Sequence, residues 1–239
     1  MIILAFDSTA KAASVALTDD ERLLADFVCD NGLTHSEILL PMAEEALKRV
    51  NKTIDDVELF ACNAGPGSFT GVRIGVSLVK GLSFGRGIPC APVSTLHALA
   101  YNLFPLDGLY CPVMDARRGQ VYNALFTVKD GKLVRLTEDR AITLGDLARE
   151  LQTDYAGAAI RLTGDGAALT ASAFADSGIT LLPTPALLLR QNAYSTARAA
   201  KELYDNRETV SDAALSPFYL RLPQAERDRL ERENRSGET

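Results

Sequence analysis

The strongest constraint on how this 239-residue chain can fold is a pattern that occurs twice. An apolar run, Ile2–Asp7, ends in aspartate and leads through a small polar turn into a second run, Ala12–Thr18. The Asp19-Asp20-Glu21 turn, a third run (Arg22–Val28) and a helical stretch follow. The order restarts at Tyr110–Asp115, continuing through Gly119–Thr127, the Lys129-Asp130-Gly131 turn and a further strand from Lys132. At a shift of 108 positions Asp7 falls on Asp115, Ala16 on Ala124 and Leu17 on Leu125. Short apolar runs bounded by turn residues are strand signals, and strands interleaved with helices predict packed α/β layers. The chain is therefore expected to form two α/β lobes of similar topology, 1–106 and 107–222, dividing near Pro105–Leu109.

Helical stretches fill the spaces between the strands. Thr34-His35-Ser36-Glu37 has the capping-box form and opens a helix to about Val50, with Pro41 predicting a kink or a late start. Leu59–Asn63 reads as a strand, followed by a helix over about Phe69–Phe84, and Ser94 or Thr95 caps a third. Further helices are expected around Leu144–Leu151, Ala167–Asp176 and Ala193–Tyr204, with a strand at Ile160–Thr163. Residues 224–239 hold nine charged side chains in 16 positions, so a tail over 223–239 is expected to be disordered.

Charge and cysteine content narrow the function. With 31 acidic against 25 basic residues the net charge is −6, which disfavours autonomous nucleic-acid binding. No run approaches the ~18 apolar residues of a membrane span. Ile2–Phe6 lacks the basic flank of a signal peptide, so a cytoplasmic protein is expected. Cys29, Cys62, Cys90 and Cys111 are irregularly spaced and read as buried, reduced thiols. With only His35 and His97 as imidazoles, a zinc site is not expected.

Three motifs have both a chemical and a structural reading. The turn Asp7-Ser8-Thr9 suits a phosphate or a hydrated cation, or simply closes a hairpin. The loop Gly65-Pro66-Gly67-Ser68-Phe69-Thr70-Gly71 suits an anion at a helix N-terminus, or is a tight turn with Ser68 as N-cap. It has neither the lysine of a P-loop nor a dinucleotide spacing. The helix that follows carries Gly71, Gly75 and Gly81, each costing about 0.5–1 kcal/mol relative to alanine. Gly71 and Gly75 share one face, which either packs on the protein's own sheet or receives a partner helix. His35 and His97 read as packed or cap-region histidines, and nothing in these residues names a reaction.

Longer blocks carry a family resemblance. Ile3-Leu4-Ala5-Phe6-Asp7-Ser8-Thr9, Ser14-Val15-Ala16-Leu17, His35 through Met42, Gly65 through Gly75, Val93-Ser94-Thr95-Leu96, Met114-Asp115-Ala116-Arg117 and Pro217-Phe218-Tyr219-Leu220-Arg221 resemble the bacterial TsaB (YeaZ) family. The likeness spans about residues 1–222. It implies two ribonuclease-H-like lobes of the actin-like ATPase superfamily. It also implies a role in making threonylcarbamoyladenosine beside the tRNA anticodon, as the non-catalytic paralogue of the transferase TsaD, with the ATPase TsaE as a further partner.

The catalytic relatives hold a metal with a His-x-x-x-His pair on the third helix. Here the resemblance puts those positions at Thr95 and Leu99, which implies no metal, no intrinsic cofactor and no catalysis. ATP or ADP is then expected only in the complex with TsaD, and tRNA contact only through that complex. Members pair through their first two helices, as homodimers alone or as heterodimers with TsaD. Carried onto this chain, close approach at Gly71 and Gly75 would bury Ile38, Met42, Ile74 and Leu78 between subunits, so that Gly75→Leu would abolish pairing and leave the monomer folded. The phosphate-binding candidates are Asp7, Ser8, Thr9, Gly164 and Gly166. Two other functions compete: a self-standing ATP-dependent phosphotransferase built on Asp7, Thr9 and Gly164-Asp165-Gly166, and a peptidase.

Overall fold

The computed structural model describes residues 1–221, and the expected tail over 223–239 lies outside them. The first lobe is built from β1 (Ile2–Asp7), β2 (Ala13–Asp19), β3 (Arg22–Cys29), α1 (His35–Arg49), β4 (Leu59–Gly65), α2 (Phe69–Ser83) and β5 (Cys90–Ser94). After α3 (Thr95–Leu103) come β6 (Leu109–Arg117), β7 (Gln120–Asn123), β8 (Phe126–Lys129), β9 (Lys132–Arg135), β10 (Arg140–Thr143) and α4 (Leu144–Thr153). The chain continues through β11 (Ile160–Thr163), α5 (Ala167–Ala173), β12 (Leu181–Leu182) and α6 (Ala193–Asp205).

The two sheets repeat one design. The first has the order β3-β2-β1-β4-β5, with β1 antiparallel to β2 and parallel to β4. The second has the path β10-β7-β6-β11-β12, with β6 antiparallel to β7 and parallel to β11. The β8–β9 hairpin is an addition of the second sheet, attached through β6. Asp7 and Asp115 thus lie on corresponding central strands, as their sequence spacing predicts.

Side-chain alternation in β1 gives the first sheet two covered faces. Leu4 and Phe6 join Val15, Phe60 and Cys62 under α1 and α2. Ile3 and Ala5 point the other way with Ala16, Ala61 and Ala91, against Ala193, Ala197 and Ala200 of α6. The last helix among the described residues therefore packs on the first sheet, although it follows the second one in the chain. Leu96, Leu99 and Leu103 of α3 pack on Tyr110, Met114 and Phe126 of the second sheet. Because α3 also contacts α6, these two helices form the layer between the sheets.

Local signals place the helix ends. The Glu37 carboxylate accepts from the Thr34 amide at 3.0 Å, the return half of a capping box. Pro41 neither delays nor breaks α1, because it lies on the exposed side where a lost backbone bond costs least. Cys62, Cys90 and Cys111 are buried free thiols, whereas Cys29 is only half-buried on the edge strand β3. Burial pushes the Cys111 thiol up to about 12, so it stays protonated. No helix among the described residues is long and apolar enough to cross a membrane.

The glycines of α2 have opposite surroundings. A Cβ on Gly71 would stand 1.9 Å from the Ser8 carbonyl oxygen, whereas one on Gly81 would meet nothing within 4 Å. Gly71→Ala is expected to lose more than about 3 kcal/mol of stability, and Gly81→Ala to gain about 0.5–1 kcal/mol. Urea unfolding of both variants checks this pair.

Candidate functional site

Two places collect the predicted residues: the cleft between the lobes, and the outer face of α1 and α2. At the cleft, the turn after β1 is closed on itself. Asp7 is buried, and its Oδ1 accepts from the Thr9 amide (2.8 Å) and the Thr9 hydroxyl (2.7 Å). Its Oδ2 accepts from Asn63 Nδ2 at 2.7 Å, and Thr196 on α6 donates to Asn63 Oδ1 at 3.2 Å. Burial raises the Asp7 carboxyl above its ordinary range, with the Thr9 and Asn63 hydrogen bonds opposing it.

The donors offered for a phosphate are spent inside the fold. Ser8 Oγ donates to the Gly71 carbonyl at 2.8 Å, and the Thr9 hydroxyl and amide are held by Asp7. In the second lobe the Gly164 amide donates to Leu189 at 3.0 Å and the Gly166 amide to Val113 at 3.1 Å. A Cβ on Gly164 would stand 2.2 Å from the Val113 oxygen, so this glycine serves close backbone packing. The Ser8 and Thr9 hydroxyls and the Thr9, Gly164 and Gly166 amides, expected to face a phosphate, thus have partners within the fold. Asp165 lines the cleft with Asp115. Loss of surrounding water raises the Asp165 carboxyl, and the Asp115 and Asp7 charges push the same way against the donating Asp115 amide.

The glycine stripe also corrects an expectation. Gly71 and Gly75 are buried against the protein's own first turn: a Cβ on Gly75 would lie 2.6 Å from Ser8 Oγ. They cannot meet a partner helix, and Gly75→Leu would disrupt the monomer itself. Ser68 acts as the N-cap, accepting from the Gly71 amide at 3.3 Å. With the glycines and Val72, Val76 and Val79 turned inward, α2 presents Phe69, Arg73 and Ser77 outward. Between this face and α1 runs a groove of about 510 Å³, lined by Leu39, Leu40, Phe69, Arg73, Ile74 and Leu78 among others. Ile38, Met42, Ile74 and Leu78 are half-buried, each packed on the core beneath.

The third-helix positions are filled by core. Thr95 and Leu99 are buried, and Leu99 Cδ1 lies 3.1 Å from where a Gly164 Cβ would be. His97 turns to Glu202 of α6, with Nε2 at 3.1 Å from the carboxylate, and stacks on Phe126 at 5.5 Å. Tyr101 donates to the same Glu202 oxygen at 2.7 Å. His35 Nε2 sits 3.2 Å from the Lys11 carbonyl. Among the described residues no three His, Cys, Asp or Glu side chains converge as metal ligands. Asn63, Thr196 and Glu202 carry no motif; they become visible only when α6 returns to the first sheet.

Known proteins resemble this chain over most of its length. A family model described as "TsaD: tRNA N6-adenosine threonylcarbamoyltransferase" matches residues 32–226. The Escherichia coli (strain K12) "tRNA threonylcarbamoyladenosine biosynthesis protein TsaB" is 30% identical over 224 residues, covering 92% of this chain and 95% of that one. A protein of the same name from Bacillus subtilis (strain 168) is 37% identical over 146 residues, 61% of this chain and 64% of the relative. The solved structure of YeaZ from Pseudomonas aeruginosa is similar at a TM-score of 0.76 and 25% identity, covering 92% of this chain and 99% of that one.

The raised Asp7 carboxyl predicts a pH dependence. Unfolded, the group titrates near 3.8; folded, it keeps its proton to higher pH. Between the two values the folded chain binds more protons, so Asp7's contribution to stability falls as pH rises. The stability difference, wild type minus Asp7→Asn, is therefore expected to shrink as pH rises through this interval, measured by urea unfolding across a pH series. A pH-independent difference would contradict the assignment.

Proposed function

The chain belongs to the TsaB (YeaZ) family of tRNA threonylcarbamoyladenosine biosynthesis proteins, and from that premise we propose that it is a non-catalytic scaffold subunit that binds and supports TsaD. The observation that carries the reading is the groove between α1 and α2. It is open, lined largely by apolar side chains, and sits on the face that α2 leaves uncovered once its glycines pack inward. Exposed apolar surface bounded by polar groups is a common mark of a docking site. Here Leu40, Phe69, Ile74 and Leu78 offer the apolar part, while His35, Ser36, Arg73 and Ser77 rim it. Ile38 and Met42 are half-buried on α1 and pack on the core of the first lobe.

A scaffold role accords with the filled positions on α3. Leu99 and Thr95 supply packing where the catalytic relatives are expected to carry imidazoles, so this chain's own residues offer no way to hold a metal there. The competing phosphotransferase reading has less support, because the Ser8 and Thr9 hydroxyls and the Thr9, Gly164 and Gly166 amides are engaged within the fold. In the proposed assembly TsaE is a further partner, ATP or ADP is bound at the level of the complex, and tRNA is reached through TsaD. Alone, the chain pairs with itself through the same groove, in the cytoplasm.

The test is calorimetric titration of the full chain with TsaD from the same organism. Wild type is expected to bind saturably. Leu40→Glu, on an exposed groove residue, is expected to weaken binding by at least about tenfold while leaving the melting temperature unchanged. Equal affinity in the variant would place the contact elsewhere.

A further inference from the structure

The last described segment of the chain touches both lobes. After α6, Val210 pairs with Cys90 on β5, and Leu215 is buried in the core beneath α1 and α2. Lys80, near the end of α2, donates to the carbonyls of Ala213 (3.1 Å) and Leu215 (2.9 Å). The Phe218 amide donates to Ala64 at 2.7 Å. Gly65 leaves room for this crossing, since a Cβ there would stand 2.2 Å from the Phe218 oxygen. Tyr219 then lies on Phe69 with ring centroids 5.0 Å apart, and Arg73 covers the Phe69 ring at 5.2 Å. Finally Arg221 reaches the second lobe and donates to the Ala116 carbonyl on β6 at 3.0 Å.

This segment divides the space between the lobes. A cavity of about 580 Å³ on one side includes Ser94, Arg135 and Asp139 in its wall. One of about 730 Å³ on the other includes Asp115, Arg117 and Asp165. Phe218 lines both. Phe69 in turn lines both the α1–α2 groove and the larger cavity.

We propose that residues 215–221 form a strap that couples the outer face of α2 to the closure of the cleft between the lobes. Phe69 is the shared part: a partner seated in the groove presses on Phe69, and through it on Tyr219. Arg221 stands two residues farther along the strap, so an adjustment at Tyr219 is carried to β6. The first-lobe end is fixed by buried Leu215, by Lys80 and by the Phe218–Ala64 hydrogen bond, which leaves the Tyr219 and Arg221 contacts as the adjustable ones. Tyr219 and Arg221 act as positioning residues. The inference rests on the reading that TsaD seats in the groove, and it adds a conformational consequence to that docking.

Hydrogen exchange by mass spectrometry on the full chain, with and without TsaD, tests both layers separately. Protection of α1 and α2 reports docking; exchange at 215–221 and at 114–118 reports coupling. In wild type, TsaD is expected to slow exchange in all of these by about fivefold or more. In Tyr219→Ala, a half-exposed position outside the core, slowing is expected to persist in α1 and α2 and to vanish at 114–118. Without TsaD, the same variant is expected to speed exchange at 114–118 by about fivefold. Protected helices with 114–118 unmoved in wild type would overturn the coupling and leave docking intact. Unprotected helices would overturn docking, and the coupling with it.

Discussion

Backbone-to-backbone contact between α2 and the turn after β1 sets the arrangement of the first lobe. Ser8 Oγ donates to the Gly71 carbonyl, and the Ser68 amide donates to the Thr9 carbonyl at 2.8 Å. Only a helix without side chains at Gly71 and Gly75 can come this close. The contact fixes which way α2 is turned. Its valines reach the sheet, its glycines cover the turn, and Phe69, Arg73, Ile74, Ser77 and Leu78 are left to form the wall of the groove. The exposed apolar face thus follows from the buried glycine face.

The same contact limits the chemistry of the cleft. A turn that gives its hydroxyls and amides to a helix and to a buried aspartate has few left for a ligand. Asp7 is held by Thr9 and Asn63, and through Asn63 by Thr196 of α6, so the turn is tied into the layer between the sheets. In the second lobe, a Cβ on Gly164 would stand 2.2 Å from the Val113 oxygen and one on Gly166 3.0 Å from the Met114 carbonyl carbon, so β6 is approached closely there too. Leu99 completes the filling from α3. These contacts occupy the cleft side of α2 and α3 and leave the outer face of α1 and α2 as the open apolar surface.

Much of the fold is legible in the sequence because its signals are local. The repeated strand–aspartate–hairpin order predicts two sheets whose central strands carry Asp7 and Asp115. The capping box at Thr34, the Ser68 N-cap and the glycine turns place α1 and α2 within a residue or two. The facing of the glycine stripe is not legible: Gly71 and Gly75 permit close approach, but nothing along the chain says to what. Resolving it requires the position of Ser8, more than 60 residues away. Strand β5, the return of α6 to the first sheet and the path of the strap are hidden for the same reason. Each depends on contacts between distant residues, such as Cys90 with Val210 and Phe218 with Ala64, that leave no periodic trace.

The central claim is that the face of α2 opposite its glycines is a docking surface for TsaD. Light scattering on a sizing column, with the full chain mixed with TsaD from the same organism, tests it most directly. The account predicts one peak whose mass equals one copy of each protein, replacing the peaks of the separate components. Two unchanged peaks, with or without ATP, would contradict it.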